Sequence, residues 1–289
     1  MGKLIVCEPT SGLASRIYVL ADAYALAKEH HHKLIVLWRK TADCDCSYRD
    51  VFAAEQFSDI PFHVYECNEY SAKFADLKKQ RTISSIGKML QEAWIRLTYF
   101  CKHTVLYYYY RNRCEIYKNS YMDQNELFES NKAINKSCFF EAYNCITRQG
   151  DLQKIQFRSS YLQEAESILS PAGQNIIGVH IRRTDNRLAK QSKTECFVER
   201  MEEEIQNNPG VCFYLATDDW DEQRRMQERF GSRILTQQNK ILERSSKAGM
   251  HSSIIDLICL SKTTRILGSR SSVFTKLAAE YGNIPLEIM

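Results

Sequence analysis

Two adjacent arginines and a carboxylate close an apolar run, Ile176-Ile177-Gly178-Val179-His180-Ile181-Arg182-Arg183-Thr184-Asp185. The run is too short for an ordinary helix and holds a glycine and a β-branched valine, so it reads as a buried strand. Charged groups at the C-terminal end of such a strand stand where open α/β sheets bind ligands. Paired guanidinium groups suit a diphosphate, because each is permanently charged and offers planar, bidentate donors. A surface ion pair from arginine to Asp185 is the competing reading. Farther along, Gly268-Ser269-Arg270-Ser271-Ser272 opens a helical pattern, and backbone N–H groups with hydroxyls at a helix start make an anion site. Asp256 sits in the apolar run Ile254-Ile255-Asp256-Leu257-Ile258, where a carboxylate needs a partner; a nucleotide base or a neighbouring arginine would serve. In the first loop, Gly12 would let the backbone approach a ligand and Arg16, one turn into the next helix, would point at it; a plain turn is the alternative. The run His30-His31-His32 is either a metal tract or a helix end favoured by the dipole.

These residues need elements to hold them. Lys3 to Glu8 reads as an opening strand, Ser15 to Lys28 as a helix with apolar residues three and four apart, and Lys33 to Trp38 as a second strand. Strand, loop, helix, strand is a βαβ unit, which implies a right-handed crossover and a parallel sheet. Pro61 to Cys67 is a further short strand, and a junction between domains is expected near Gly150. Beyond it the alternation is regular. Strand Ile176–Ile181 leads to helix Glu195–Gln206, strand Val211–Ala216 to helix Asp219–Phe230, and short strand Arg233–Leu235 to helix Met250–Ser261. Strand Arg265–Leu267 then leads to helix Val273–Tyr281. Thr217-Asp218-Asp219 supplies helix-capping residues and Gly231 a helix stop. Alternating β and α elements define a Rossmann-like half.

The chain has 289 residues, 44% hydrophobic and 26% charged, which suits two globular domains or one large one. A net charge of +4 is too small to argue for nucleic acid. Eleven cysteines are scattered without a Cys-x-x-Cys pair, and Met1-Gly2-Lys3 runs straight into a strand rather than a secretory signal. Reduced thiols in a cytoplasmic protein are therefore expected. Between Lys73 and Lys118 there are ten basic residues against Asp76, Glu92 and Glu115, with Trp94, Tyr99, Phe100 and the run Tyr107-Tyr108-Tyr109-Tyr110. One reading is a basic aromatic surface for an anionic membrane or a lipid-linked acceptor. The other is a long helix with aromatics packed inward and lysines outward.

His180-Ile181-Arg182-Arg183-Thr184-Asp185 resembles the His-x-Arg-Arg-x-Asp motif of the superfamily of α-1,2, α-1,6 and protein O-fucosyltransferases. Tyr214 to Asp219, Asp256 to Ser261 and Gly268 to Ala279 follow in the family's order. Ser11 to Arg16 resembles its N-terminal loop, with Gly12-Leu13-Ala14-Ser15 where relatives often have Gly-x-Gly-Asn. The resemblance implies an α/β GT-B fold, two Rossmann-like domains facing across a cleft. Residues 1–150 would form the acceptor side and 151–289 the nucleotide-sugar side. It implies GDP-fucose as donor substrate, a glycan acceptor, and no separate cofactor or metal. Arg182 would bind the β-phosphate and stabilise the departing diphosphate, while Arg183 contacts the donor or braces the motif. Asp256 would read guanine, and Ser271 and Ser272, with Ser269, would meet the phosphates. Gly12, Arg16, His180 and Asp218 complete the donor side. Transfer would invert the anomeric carbon as an acceptor hydroxyl attacks it. Glu195, beside Asp185, is the nearest candidate base, or it merely opens its helix. A different GDP-sugar, or a nucleotide-sugar-binding module without turnover, are the other readings; a nucleic-acid binder is disfavoured because no known motif accompanies the basic residues.

Overall fold

A computed structural model describes residues 2–67, 85–99, 104–119, 127–184, 187–243 and 245–289. The chain divides into two compact units, Met1–Gln156 with Arg244–Lys247, and Phe157–Glu243 with Ala248–Met289. The boundary thus falls after Gln156 rather than at Gly150. Each unit holds a five-stranded sheet in which every pairing is parallel.

In the first unit β1 (Leu4–Pro9), β2 (Lys33–Arg39), β3 (Phe62–Cys67), β4 (Glu115–Asn119) and β5 (Cys138–Ala142) lie in the order β3-β2-β1-β5-β4. Helix α1 (Leu13–Glu29) joins β1 to β2. A short helix α2 (Tyr48–Val51) follows β2. The segment expected as one long helix contains, among the described residues, α3 (Ser85–Tyr99), α4 (Val105–Arg111) and β4. Lys73, Asp76, Lys78, Lys79, Arg81, Phe100 and Lys102 lie outside the described residues. Helix α4 sets Tyr110, Leu106 and Tyr107 against Val6, Ile35, Leu37 and Phe139 of the sheet. The inward packing of aromatics is therefore true of half the tyrosine run. Tyr108 and Tyr109 face outward, and so do Ile86, Met89, Leu90, Trp94 and Leu97 of α3.

One carboxylate fixes the way out of β5. Asp22, buried in α1, accepts from the N–H groups of Ile146, Thr147, Arg148 and Gly150 and from the Thr147 hydroxyl, at 2.6 to 3.1 Å. Gly150 is held so close that a Cβ there would stand 2.4 Å from the backbone of Ala21 and Asp22, so only glycine fits. The histidine run is also accounted for locally: His30 and His32 bond the carbonyls of Ser130 and Ala133 through Nε2. The described cysteines are free thiols, most of them buried.

The second unit has β6 (Ile176–Ile181), β7 (Cys212–Thr217), β8 (Ile234–Leu235), β9 (Ile266–Gly268) and β10 (Leu286–Ile288) in the order β10-β9-β6-β7-β8. After the entry helix α5 (Ser159–Leu169), its helices are α6 (Thr194–Asn207), α7 (Trp220–Phe230), α8 (Lys247–Ser261) and α9 (Val273–Gly282). Strand alternation divides them between two faces. Ile177, Val179, Ile181, Phe213 and Leu215 point to one face, where Phe197, Met201, Met226 and Phe230 of α6 and α7 close the core. Gly178, His180 and Tyr214 point to the other, against α8 and α9. Gly178 lets α8 come close: a Cβ would meet Thr263 Oγ1 at 2.9 Å and Leu260 at 3.0 Å.

Candidate functional site

Both sheets reverse their winding direction at one place. In the first, the chain runs β1 to β3 outward on one side and then returns to lay β5 on the other side of β1. In the second, β6, β7 and β8 run one way, and β9 then pairs with the opposite edge of β6. Loops leaving the two inner strands part at such a point and leave a crevice at the strands' C-terminal ends. The β6–β9 point is where the Arg-Arg motif stands.

Strand alternation separates the two arginines. Arg183 turns toward the face of α6 and α7, where its Nε meets Glu222 Oε2 at 2.9 Å, and its terminal nitrogens reach the Ser192 carbonyl at 2.8 Å and Thr194 Oγ1 at 2.9 Å. Of the two roles expected for it, the bracing one is what the geometry displays. Arg182 follows on the face of α8 and α9 and is half-buried. Its N–H donates to Ser269 Oγ at 3.0 Å, and the Ser269 N–H donates to the His180 carbonyl at 3.0 Å. The tips of β6 and β9 are thereby locked together. Asp185 lies outside the described residues.

Asp218 ends β7 and accepts from the N–H groups of Arg183 and Thr184 and from the Thr184 hydroxyl. Burial alone would raise its pKa, but the Thr184 hydroxyl, the Arg183 N–H and the charge of Arg182 together hold the carboxyl below its usual range. It shapes the motif loop from beneath. His180 is buried, bonds Thr275 Oγ1 of α9 through Nδ1 and rests near Phe274. Burial first, and the nearby Arg182 charge second, push its pKa down from 6.5 to about 3, so the ring is neutral and braces α9. Gly268 permits this closeness, since a Cβ there would lie 2.2 Å from Thr275 Cγ2.

The β9–α9 loop carries the expected serines in three different situations. Ser269 is fully buried and serves the strand tips. Ser272 is the α9 N-cap and accepts from the Thr275 N–H at 3.3 Å. Ser271 is exposed with φ +55°, a left-handed conformation that turns the backbone just before the helix. Of the three, only Ser271 is exposed; Ser269 and Ser272 are buried and hold the strand tip and the helix start. The start of α9 itself remains beside Arg182, where the helix dipole favours an anion.

Four more expectations meet committed side chains. Asp256 accepts from Tyr214 Oη at 2.7 Å and Gln237 Nε2 at 2.6 Å, and pairs with Lys240 Nζ at 2.7 Å, all buried. Both oxygens are occupied inside the protein, which supplies the partner its apolar helix demanded without recourse to a base. Glu195 pairs on the exposed surface with Arg225 at 2.8 Å. Its own backbone N–H and then Arg225 lower its pKa, opposite to what a base acting near neutrality requires. In the first unit Arg16 is fully buried; it donates to the Ser11 and Arg39 carbonyls and to Thr41 Oγ1 and lies 5.0 Å over the Trp38 ring. Gly12 caps α1 in ordinary extended backbone, and a Cβ would meet only the Asp43 carbonyl at 3.7 Å. Arg16 is thus a brace and Gly12 a plain turn position. Sequence reasoning missed Thr194, Glu222 and Thr275, which hold Arg183 and His180 in place. Their position in the first turn of a helix following a strand was the available signal.

No family model matches the sequence, and no curated protein does either. Solved structures do match the fold. The α-1,6-fucosyltransferase NodZ co-crystallised with GDP is 16% identical, with a TM-score of 0.58 over 96% of this chain and 92% of that one. The fucosyltransferase NodZ from Bradyrhizobium gives 15% identity and a TM-score of 0.55, over 96% of this chain and 92% of that one. POFUT1 in complex with GDP-fucose gives 9% identity and 0.58, over 99% of this chain and 98% of that one. The chain therefore has the α/β fold of the GT-B fucosyltransferase structures, two Rossmann-like halves each built on a parallel sheet.

Proposed function

We propose that this protein is a glycosyltransferase that moves fucose from GDP-fucose to a glycan hydroxyl, with inversion and without a metal. The carrying observation is Arg182: a permanent cation on a locked strand tip, at the winding reversal of the second sheet, beside the start of α9. Such a place suits a diphosphate. That NodZ and POFUT1 were crystallised with GDP or GDP-fucose supports the choice of donor. In this reading the unit that begins at Phe157 holds the nucleotide sugar and the first unit the acceptor. As the acceptor oxygen bonds to the anomeric carbon, the bond to the β-phosphate oxygen breaks, negative charge grows on GDP, and the hydroxyl proton passes to the departing diphosphate or to water. In this reading Arg182 supplies fixed positive charge to meet that growing charge, the kind of group that stabilises a transition state electrostatically.

A second reading has one observation behind it. Three described carboxylates near the motif are already engaged: Glu222 with Arg183, Glu195 with Arg225, and Asp218 by hydrogen bonds from Arg183 and Thr184, as in a binding module without turnover. One experiment separates the readings. Thermal shifts are measured with GDP, GDP-fucose, GDP-mannose and UDP-sugars, and GDP release is followed with glycan acceptors. Selective stabilisation by GDP-fucose with GDP release establishes the transferase. Stabilisation without release supports the module, a larger shift with another GDP-sugar reassigns the donor, and no shift with any guanine nucleotide ends the proposal.

A further inference from the structure

Helix α3 carries Ile86, Met89, Leu90, Trp94 and Leu97 at spacings of three and four, so all five share one face. Each is between 56% and 68% exposed. A solvent-facing stripe of this kind on a helix of fifteen residues is unlike the scattered apolar residues of an ordinary surface. Helix α4 repeats the theme nearby in sequence: Val105, Tyr108 and Tyr109 face outward, and the Arg113 guanidinium lies 3.8 Å over the Tyr109 ring. Between Lys73 and Lys118 the sequence holds ten basic residues and three acidic ones, whereas the whole chain is only +4. No helix among the described residues is long and apolar enough to cross a membrane.

We infer that α3 lies flat in the surface of an anionic lipid bilayer, its apolar stripe among the acyl chains, with the sequence's excess of positive charge between Lys73 and Lys118 drawing it to the headgroups. Charge complementarity selects this occupant. A second copy would set the same excess of basic residues between 73 and 118 against itself, while phosphate headgroups neutralise it. An aromatic residue on the stripe, and tyrosine paired with arginine beside it, are the residue types that settle where water meets hydrocarbon. The surface would hold the protein against a membrane and so give it access to acceptors displayed there. This does not depend on the identity of the sugar donor.

The test is co-sedimentation of the full chain with vesicles of phosphatidylcholine alone and of phosphatidylcholine with phosphatidylglycerol in equal parts. Binding is expected to the mixed vesicles only and to weaken as salt is added. Tryptophan quenching by brominated phosphatidylglycerol should disappear in Trp94→Phe. The pair of substitutions Leu90→Glu and Trp94→Glu should weaken vesicle binding by about a hundredfold. The thermal transition without ligand reports whether that variant folds; if it does not, the quenching measured on the native chain decides. No binding to the mixed vesicles, or quenching that survives Trp94→Phe, overturns the inference. So does a dimer in sedimentation velocity that the same two substitutions dissociate without lipid. Since nucleotide plays no part in these measurements, their failure leaves the donor assignment standing, and the reverse holds too.

Discussion

The two winding reversals share a construction and differ in what their arginines do. In each, a serine with positive φ, Ser11 at 70° and Ser271 at 55°, stands immediately before the N-cap of the following helix. In each, an arginine ties loop to neighbour: the buried Arg16 to Ser11, Arg39 and Thr41 in the first unit, the partly buried Arg183 to Ser192, Thr194 and Glu222 in the second. The second reversal then adds Arg182, half-buried and one residue from its brace. Topology thus provides the same address twice, and under the proposed function one extra cation beside a helix start distinguishes the second.

The comparison breaks most severely if the braces are dispensable. Arg183→Ala leaves the Glu222 carboxylate buried without its charge partner and should cost about 3–5 kcal/mol of stability, measured by urea unfolding. Arg16→Ala should also unfold the protein earlier, since three acceptors in its surroundings lose their donor. Arg182→Ala sharpens the contrast from the other side. It should leave the unfolding midpoint near that of the parent, yet lower transfer by about 10²–10³ and weaken GDP binding. Normal turnover in that variant would remove Arg182 from the chemistry.

A smaller effect concerns acid. His180 is neutral in the fold with a pKa of about 3 against 6.5 when exposed, so the unfolded chain binds the extra proton first. Its contribution is complete above pH 6.5 and fades as pH falls toward 3. Between pH 6.5 and 5 the loss should approach about 2 kcal/mol, and His180→Gln should flatten that part of the stability profile. The smallest effect is expected for Glu195→Gln, with turnover changed less than about twofold, because its exposed pair with Arg225 contributes little. A large fall would restore Glu195 as the base.

How much of this could be read beforehand varies along the chain. The second unit was legible because its strands alternate cleanly and its helices carry their own punctuation: Asp219 does cap α7, and Gly231 ends it with φ +55°. The first unit was legible through β3 and then obscure. Strands β4 and β5 are five residues each, separated by polar sequence, and β4 takes its place only through pairing with β5. Strand β10 is three residues at the sheet edge and has no sequence signature of its own. At the site, the expected strand Ile176–Ile181 is β6, while the partners of Arg16, Asp256 and Ser269 are remote in sequence. Alternation along β6 would have assigned Arg182 and Arg183 to opposite faces, a signal present in the sequence and not used. Asp22, flanked by alanines within α1, gave the same warning as Asp256.

That aspartate has a consequence for how the molecule can be cut. Five donors of residues 146–150 converge on its carboxylate, and Gly150 leaves no room beside α1. A protease must draw its substrate out into an extended strand, and here that means tearing the segment off a helix that is itself core. The approach to the second unit, which looks like an ordinary connection, should therefore outlast the exposed turns when the native protein is digested.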